Sequence, residues 1–297
     1  MLRLLRAVLP ALLLAAPLAA QRPVKVFISV DMEGIAGVVT GEQLGPGGFE
    51  YERFRRFMTE EALAAIRGAR EAGATEIVVA DAHGNGQNLL IEAFPDDVTL
   101  IRSWPRPLGM MQGIDSTFAA AVFIGYHAST ANPAGVRAHT QSSANFTGMQ
   151  LNGREVPEGG INAAIAGHFG VPVVAISGDD AAVEEVRRFT GPVPAAVVKR
   201  ALSFHSAATL TPKAAQERIQ QAVKAGVAQR ATITPFVLRG PVTLDLSLKH
   251  YRAAEMLAYL PMVQRPDSHT IRYVGRDVLE VEKFLQFVGD YRVDLTP

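Results

Sequence analysis

Four apolar stretches of this chain end in the same manner, and that repetition limits the folds open to it. Residues 24–34 read VKVFISVDMEG, a run of β-branched and apolar residues that breaks into Asp31 and Glu33. Residues 76–80 stop at Asp81, Ala82, His83 and Gly84; residues 119–125 close on Tyr126 and His127; residues 171–177 close on Gly178, Asp179 and Asp180. Such runs are the habit of strands covered on both faces, as in a parallel sheet. Between the first two lies a helical pattern over 51–72. It sets Phe54, Phe57, Met58, Leu63 and Ile66 at several three- and four-residue spacings and ends at Gly73. Strand and helix alternate in this way through residue 190, which predicts an α/β fold with a largely parallel sheet flanked by helices. In open sheets of this kind ligands gather beyond the carboxyl ends of the strands.

Pro157, Glu158 and Gly159 open a small-residue helix over 161–169, with proline near its first turn. From about residue 195 the texture changes. A helix is expected from 211 or 212 to 227, a half-exposed strand at 242–248, another strand at 271–274 and an amphipathic helix at 277–288. The domain reading is therefore a catalytic α/β domain at 21–194 and a smaller α+β lobe at 195–297, expected to serve oligomerisation and to shape the pocket.

Arg3 and Arg6 precede an apolar run at 7–19, followed by small residues and then Gln21, Arg22 and Pro23. That order predicts a secretory signal peptide at 1–20, and the run is short for a membrane span. The expected location is periplasmic or secreted, with no stable membrane insertion of the mature chain. The chain has no cysteine, so disulfides and a lipid attached through cysteine are excluded. With 29 basic and 29 acidic side chains, net charge gives no reason to expect nucleic acid as a partner.

The strand tips carry the chemistry. If the chain stays extended past the first strand, Asp31 and Glu33, two residues apart, point to one side. With His83, His127 and Glu158 they make a set of two imidazoles and three carboxylates. Nitrogen beside carboxylate oxygen suits zinc, manganese, cobalt or iron better than calcium. Five ligands are generous for one tetrahedral ion. They are natural for two ions roughly 3.5 to 4 Å apart that activate water for hydrolysis. Taken singly, each residue has a plainer reading: a turn or core histidine, or a carboxylate favoured by a helix N-terminus. Their joint occurrence at strand tips argues otherwise. His139, in the polar loop 129–146, is placed to move a proton or to attack a carbonyl itself. Asp179 and Asp180 read as a helix-capping pair. His168 reads as packing, and His205, His250 and His269 as surface or interface residues.

At these residues the sequence resembles the D-aminopeptidase family of zinc peptidases, M55. The matching segments are SVDMEGIAG at 29–37, YERFRRFMTEEA at 51–62, VADAHGNGQNLL at 79–90 and FIGYHA at 123–128. They continue with AHT at 138–140, PEGGINAAIAGHFGVPVVAISGDD at 157–180 and AAVVKRALSFHSAATLTP at 195–212. The resemblance implies two zinc ions per subunit held by Asp31, Glu33, His83, His127 and Glu158, with His139 as the catalytic histidine. It also implies a short-peptide substrate and a homo-oligomer, a ring-shaped decamer. The leader departs from the family's cytoplasmic habit. The expected activity is hydrolysis of the N-terminal amide of short peptides, D-alanine-containing ones among them. The rivals are a metal-dependent hydrolase of a phosphoester or cyclic amide, and an exported metal or peptide binder without turnover.

Overall fold

Each of the four apolar runs is a strand of one sheet. In chain order the elements are β1 (Lys25–Val30), α1 (Tyr51–Glu71), β2 (Glu76–Asp81), β3 (Val98–Ile101), β4 (Ala120–Tyr126), β5 (Phe146–Leu151), β6 (Arg154–Glu155), α2 (Glu158–His168), β7 (Val173–Asp179) and α3 (Asp180–Thr190). Then follow β8 (Ala195–Ser203), β9 (Ser206–Thr209), α4 (Pro212–Ala228), β10 (Val242–Leu248), α5 (Tyr251–Leu257), β11 (Val263–Gln264), β12 (Thr270–Gly275) and α6 (Val278–Asp290). This computed structural model describes residues 23–292, and the leader predicted at 1–20 lies outside the described residues.

The first sheet has the order β3-β2-β1-β4-β7-β8-β9, parallel throughout except that β9 returns antiparallel to β8. The second is antiparallel, in the order β11-β12-β10-β5-β6. The fold is α/β, a mostly parallel sheet flanked by helices with a smaller antiparallel sheet beside it.

Both faces of β1 are buried, as its unbroken apolar run requires. Val26, Ile28 and Val30 pack with Ile66 of α1 and Ile219 of α4 in one core, while Phe27 joins the core on the opposite face. That second core runs on through Ile161 and Ile165 of α2 to Leu244 and Leu246 of β10 and Leu285 of α6. The two sheets therefore share a core through α2 and α6, and α6 is brought beside the tips of the parallel strands.

The expected division at 195 does not match this arrangement. β8, β9 and α4 extend the first sheet and its helical layer, whereas β5 and β6 cross to the second sheet. The change in texture at 195 is the edge of one sheet: β8 is buried along only part of its length and carries Arg200 into solvent. The 129–146 loop runs directly into β5, which alternates buried and exposed residues as a strand covered on one face does. His168 is exposed rather than packed, at the last turn of α2.

Candidate metal centre

The backbone brings the tips of β1, β2 and β4 together before any side chain does. The amide of Asp31 donates to the Ile124 carbonyl at 2.8 Å and that of Gly34 to Gly125 at 2.7 Å. A Cβ at Gly34 would lie 2.1 Å from the Tyr126 carbonyl oxygen, so only glycine permits this approach. Gly125 has a left-handed backbone, φ 72°, and a Cβ there would meet the Asp31 carbonyl at 2.2 Å.

On this frame Asp31, Glu33, His83, His127 and Glu158 all converge, each nearly or fully buried. Two groups adjoin. In one, His83 Nδ1 lies 3.3 Å from Asp31 Oδ1 and 2.8 Å from Glu33 Oε2. In the other, His127 Nε2 lies 3.3 Å from Glu158 Oε2, with His139 Nε2 3.9 Å from Glu158 Oε1. Asp31 Oδ2, 3.3 Å from His127 Nε2, links the two. The donor atoms fall into the sets Asp31, Glu33, His83 and His127, His139, Glu158, each close enough to hold an ion. His139 thus stands within reach of the second set as well as in the loop from which a proton shuttle was expected.

All three imidazoles are oriented by the same device. His83 Nε2 donates to the Leu44 carbonyl at 2.7 Å, His127 Nδ1 to Ala128 at 3.0 Å and His139 Nδ1 to Arg137 at 2.8 Å. A carbonyl can only accept, so the outer nitrogen of each ring carries a proton, and the inner nitrogen presents a lone pair when the ring is neutral. Metal-binding histidines are held in this manner. Asp31 Oδ2 and Glu33 Oε2 are buried without a hydrogen-bond partner. The short approach of Glu33 Oε2 to His83 Nδ1 brings two acceptors together when the ring is neutral. Unpaired carboxylate oxygens facing bare imidazole nitrogens are the chemistry of a cation site, and the donor set fits zinc.

Titration reflects the same demand for positive charge. Burial pushes the Asp31 carboxyl up to about 8, and Glu33 adds to the rise. Burial also opposes charge on Glu33, yet His83 holds its carboxyl well below the usual range. Burial disfavours a charged His127, but Glu158 and then Asp31 draw it up to about 10. His139 moves the other way: burial and the neighbouring His127 charge hold it below its ordinary value, which keeps it neutral and able to accept a proton. Protons and divalent cations compete for these lone pairs.

The cavity over the cluster measures about 330 Å³. Trp104, Met110 and Phe146 line it, together with Leu285, Gln286 and Asp290 of α6. The helix α6, which packs against the second sheet, therefore contributes wall residues.

The profile of the M55 peptidases, described as D-aminopeptidase, matches residues 24–287. The chain belongs to the M55 family of D-aminopeptidases. Metal-dependent aminopeptidase is the enzyme class of that family. A D-aminopeptidase of Bacillus subtilis (strain 168) is 32% identical over 257 residues, covering 86% of this chain and 93% of that protein. The solved structure of the Zn-dependent D-aminopeptidase DppA from Bacillus subtilis, described as a self-compartmentalizing protease, aligns with a TM-score of 0.85 at 31% identity. The alignment covers 89% of this chain and 96% of that one.

Supporting residues in this M55 chain escaped the sequence reading. Asn88 Nδ2 donates to the His83 carbonyl at 2.6 Å and to Asp81 Oδ1 at 2.8 Å, and Asn88 Oδ1 accepts from the Tyr51 hydroxyl at 2.7 Å. These bonds set the turn that aims His83. The amide of Gln141 donates to Glu158 Oε1 at 2.7 Å and ties the His139 loop to α2. Asn88 and Tyr51 lie inside the motifs that carry the family resemblance; a turn polar residue beside a candidate ligand was the available signal. Asp179 caps α3 as expected, accepting from the Ala182 amide at 2.7 Å. It also accepts from the Val136 amide at 2.8 Å, which pins the loop before His139.

Proposed function

We propose that this chain is an exported, dinuclear-zinc aminopeptidase that hydrolyses the N-terminal amide bond of short peptides, D-alanine-containing ones among them. One observation carries the reading: three imidazoles, each anchored outward on a backbone carbonyl, turn their free nitrogens toward three buried carboxylates. The proposed ligands are Asp31, Glu33, His83, His127 and Glu158, and two adjoining donor sets favour two ions over one. When bound, zinc polarises the scissile carbonyl and acidifies water in the cleft.

The chain's own groups supply the rest. His139 Nε2, neutral and facing the cluster, takes a proton from the attacking group and returns it to the leaving amine, or attacks the carbonyl itself. Met110, Phe146 and Leu285 put apolar side chains into a cleft wall that also carries Gln141, Ser142 and Gln286. A cavity of this size suits a small peptide and excludes a folded chain.

Metal analysis of the purified protein, combined with a panel of D- and L-alanyl amides, dipeptides and a phosphodiester, tests the reading. About two zinc per subunit with turnover of D-alanyl substrates supports it. Turnover of the phosphodiester alone, or bound metal without any turnover, overturns it.

Export rests on the leader pattern at 1–20 and is checked by N-terminal sequencing of the mature chain from periplasm or medium. A homo-oligomer, a decamer by family resemblance, accords with the exposed apolar side chains of Tyr251, Met256, Tyr259, Met262, Phe287 and Tyr291 around the second sheet. Among the described residues no helix is long and apolar enough to cross a membrane. Light scattering of the purified protein gives the subunit number, and a monomer refutes the assembly.

A further inference from the structure

The loop that follows β1 carries Asp31 and Glu33 and then crosses the sheet from β1 toward the β9 edge. Gly34 bonds to Gly125 at the end of β4, and the amide of Gly37 donates to Thr209 Oγ1 of β9 at 2.8 Å. Under this crossing lies Lys199 of β8, one of the largest fully buried side chains among the described residues. Its ammonium donates to the carbonyl of Glu33, to that of Ile35 at 3.1 Å and to that of Val38 at 2.6 Å. An ammonium has three protons, and here all three go to one segment of six residues.

Burying a lysine is costly unless its charge and donors are matched. The matching groups surround the same segment. Glu61 of α1 accepts from the Ala36 amide at 3.0 Å, and Asp179, the register partner of Lys199 across β7 and β8, accepts from Val136 ahead of His139. The loop's inward carbonyls thus face a cation and its inward amide faces a carboxylate. A core lysine serving stability alone has no reason to spend every donor on a segment that begins at one candidate ligand, Glu33, and lies two residues beyond another, Asp31. A compact ammonium can gather three converging carbonyls, which the planar fork of arginine does not.

We infer that Lys199 is a positioning residue: by clamping the carbonyls of Glu33, Ile35 and Val38 it holds the Asp31–Glu33 corner in the geometry that binds metal. This rests on the proposal that Asp31 and Glu33 are metal ligands.

The test uses the full metal-free chain and reads zinc affinity by competition with a chromophoric chelator, alongside thermal unfolding. The variants are Lys199→Met and the double variant Lys199→Met/Glu61→Gln, which removes a buried cation and a buried carboxylate together. Ile219→Val, an apolar change in the core that packs against the same face of β1, controls for general loss of stability. The expected result is a folded variant whose zinc affinity falls about tenfold to a hundredfold, the range for residues that orient ligands, while Ile219→Val binds as the parent does. A parent that binds zinc beside lysine variants of equal affinity overturns the inference alone. A parent that binds no zinc overturns the metal reading and this inference with it. Failure of both lysine variants to fold also overturns it, because the residue then serves the fold as a whole.

Discussion

The rings of His127 and His139 stack face to face, with centroids 4.1 Å apart and planes 8° from parallel. Two imidazoles this close do not both carry charge readily, and His127, beside Glu158 and Asp31, holds the stronger claim. His139 is left neutral. Replacing it separates proton transfer from metal binding. His139→Ala is expected to keep its zinc content and lower kcat by about two to four orders of magnitude, the worth of a general acid or base. Metal analysis and steady-state kinetics on one preparation check this, and loss of half the zinc would instead make His139 a ligand.

Removal of metal should weaken the fold itself. Asp31, Glu33 and Glu158 are buried together, and a cation that binds the folded chain stabilises it by mass action. Free zinc at a hundred times its dissociation constant adds about 2.7 kcal/mol. Chelation is expected to lower the Tm by several degrees and zinc to restore it. An unchanged Tm after verified metal removal would contradict the shared site.

Gly34→Ala tests the backbone frame. Its Cβ would stand 2.1 Å from the Tyr126 carbonyl, and backbone on both sides leaves no flexible neighbour to yield. Separation of the β1 and β4 tips is expected, with about 1–3 kcal/mol of stability lost and weaker zinc binding. Gly153→Ala, where no atom comes within 4 Å but φ is 75°, should lose stability through backbone strain while zinc affinity stays unchanged. Denaturant unfolding and zinc titration of both variants distinguish the two effects.

Glu282 on α6 gives a pH signature from a buried carboxyl that is not itself a proposed ligand. Burial raises its carboxyl to about 7 from an ordinary 4.5; the Gln286 amide, 2.9 Å away, offsets part of that rise, and the nearby Glu158 charge adds to it. Below pH 4.5 both folded and unfolded chains hold the proton. Between 4.5 and 7 only the folded chain does, so stability from this group falls as pH rises through that window and is fully lost above 7. Glu282→Gln removes the dependence while keeping the acceptor for Gln286. The variant should match the parent near pH 4.5 and exceed it by roughly 1–3 kcal/mol at pH 8. Thermal unfolding across pH reads the difference, and a constant gap would rule out titration of this carboxyl as its cause.

The strands of the parallel sheet were legible where burial on both faces erases polar alternation, as in β1 and β4. The edge elements were not. β3 is four residues long and only partly buried, and β5 pairs with β10 nearly a hundred positions away, a choice set by tertiary contact. The boundary at 195 failed for that reason: β8 joins the first sheet through its pairing with β7, and pairing leaves no local mark.

By itself the sequence determined the α/β class and the candidate side chains, because a parallel sheet carries the carboxyl ends of β1, β2 and β4, with Asp31, Glu33, His83 and His127, to one edge, where Glu158 joins them from the start of α2. Only the tertiary structure decided how those side chains are held. The carbonyls of Leu44, Ala128 and Arg137 that orient the imidazoles, and the lysine from β8 beneath the first loop, are brought there by packing. A backbone carbonyl has the same chemistry at every position along a chain, so nothing in residue identity announces which one will face a ring nitrogen.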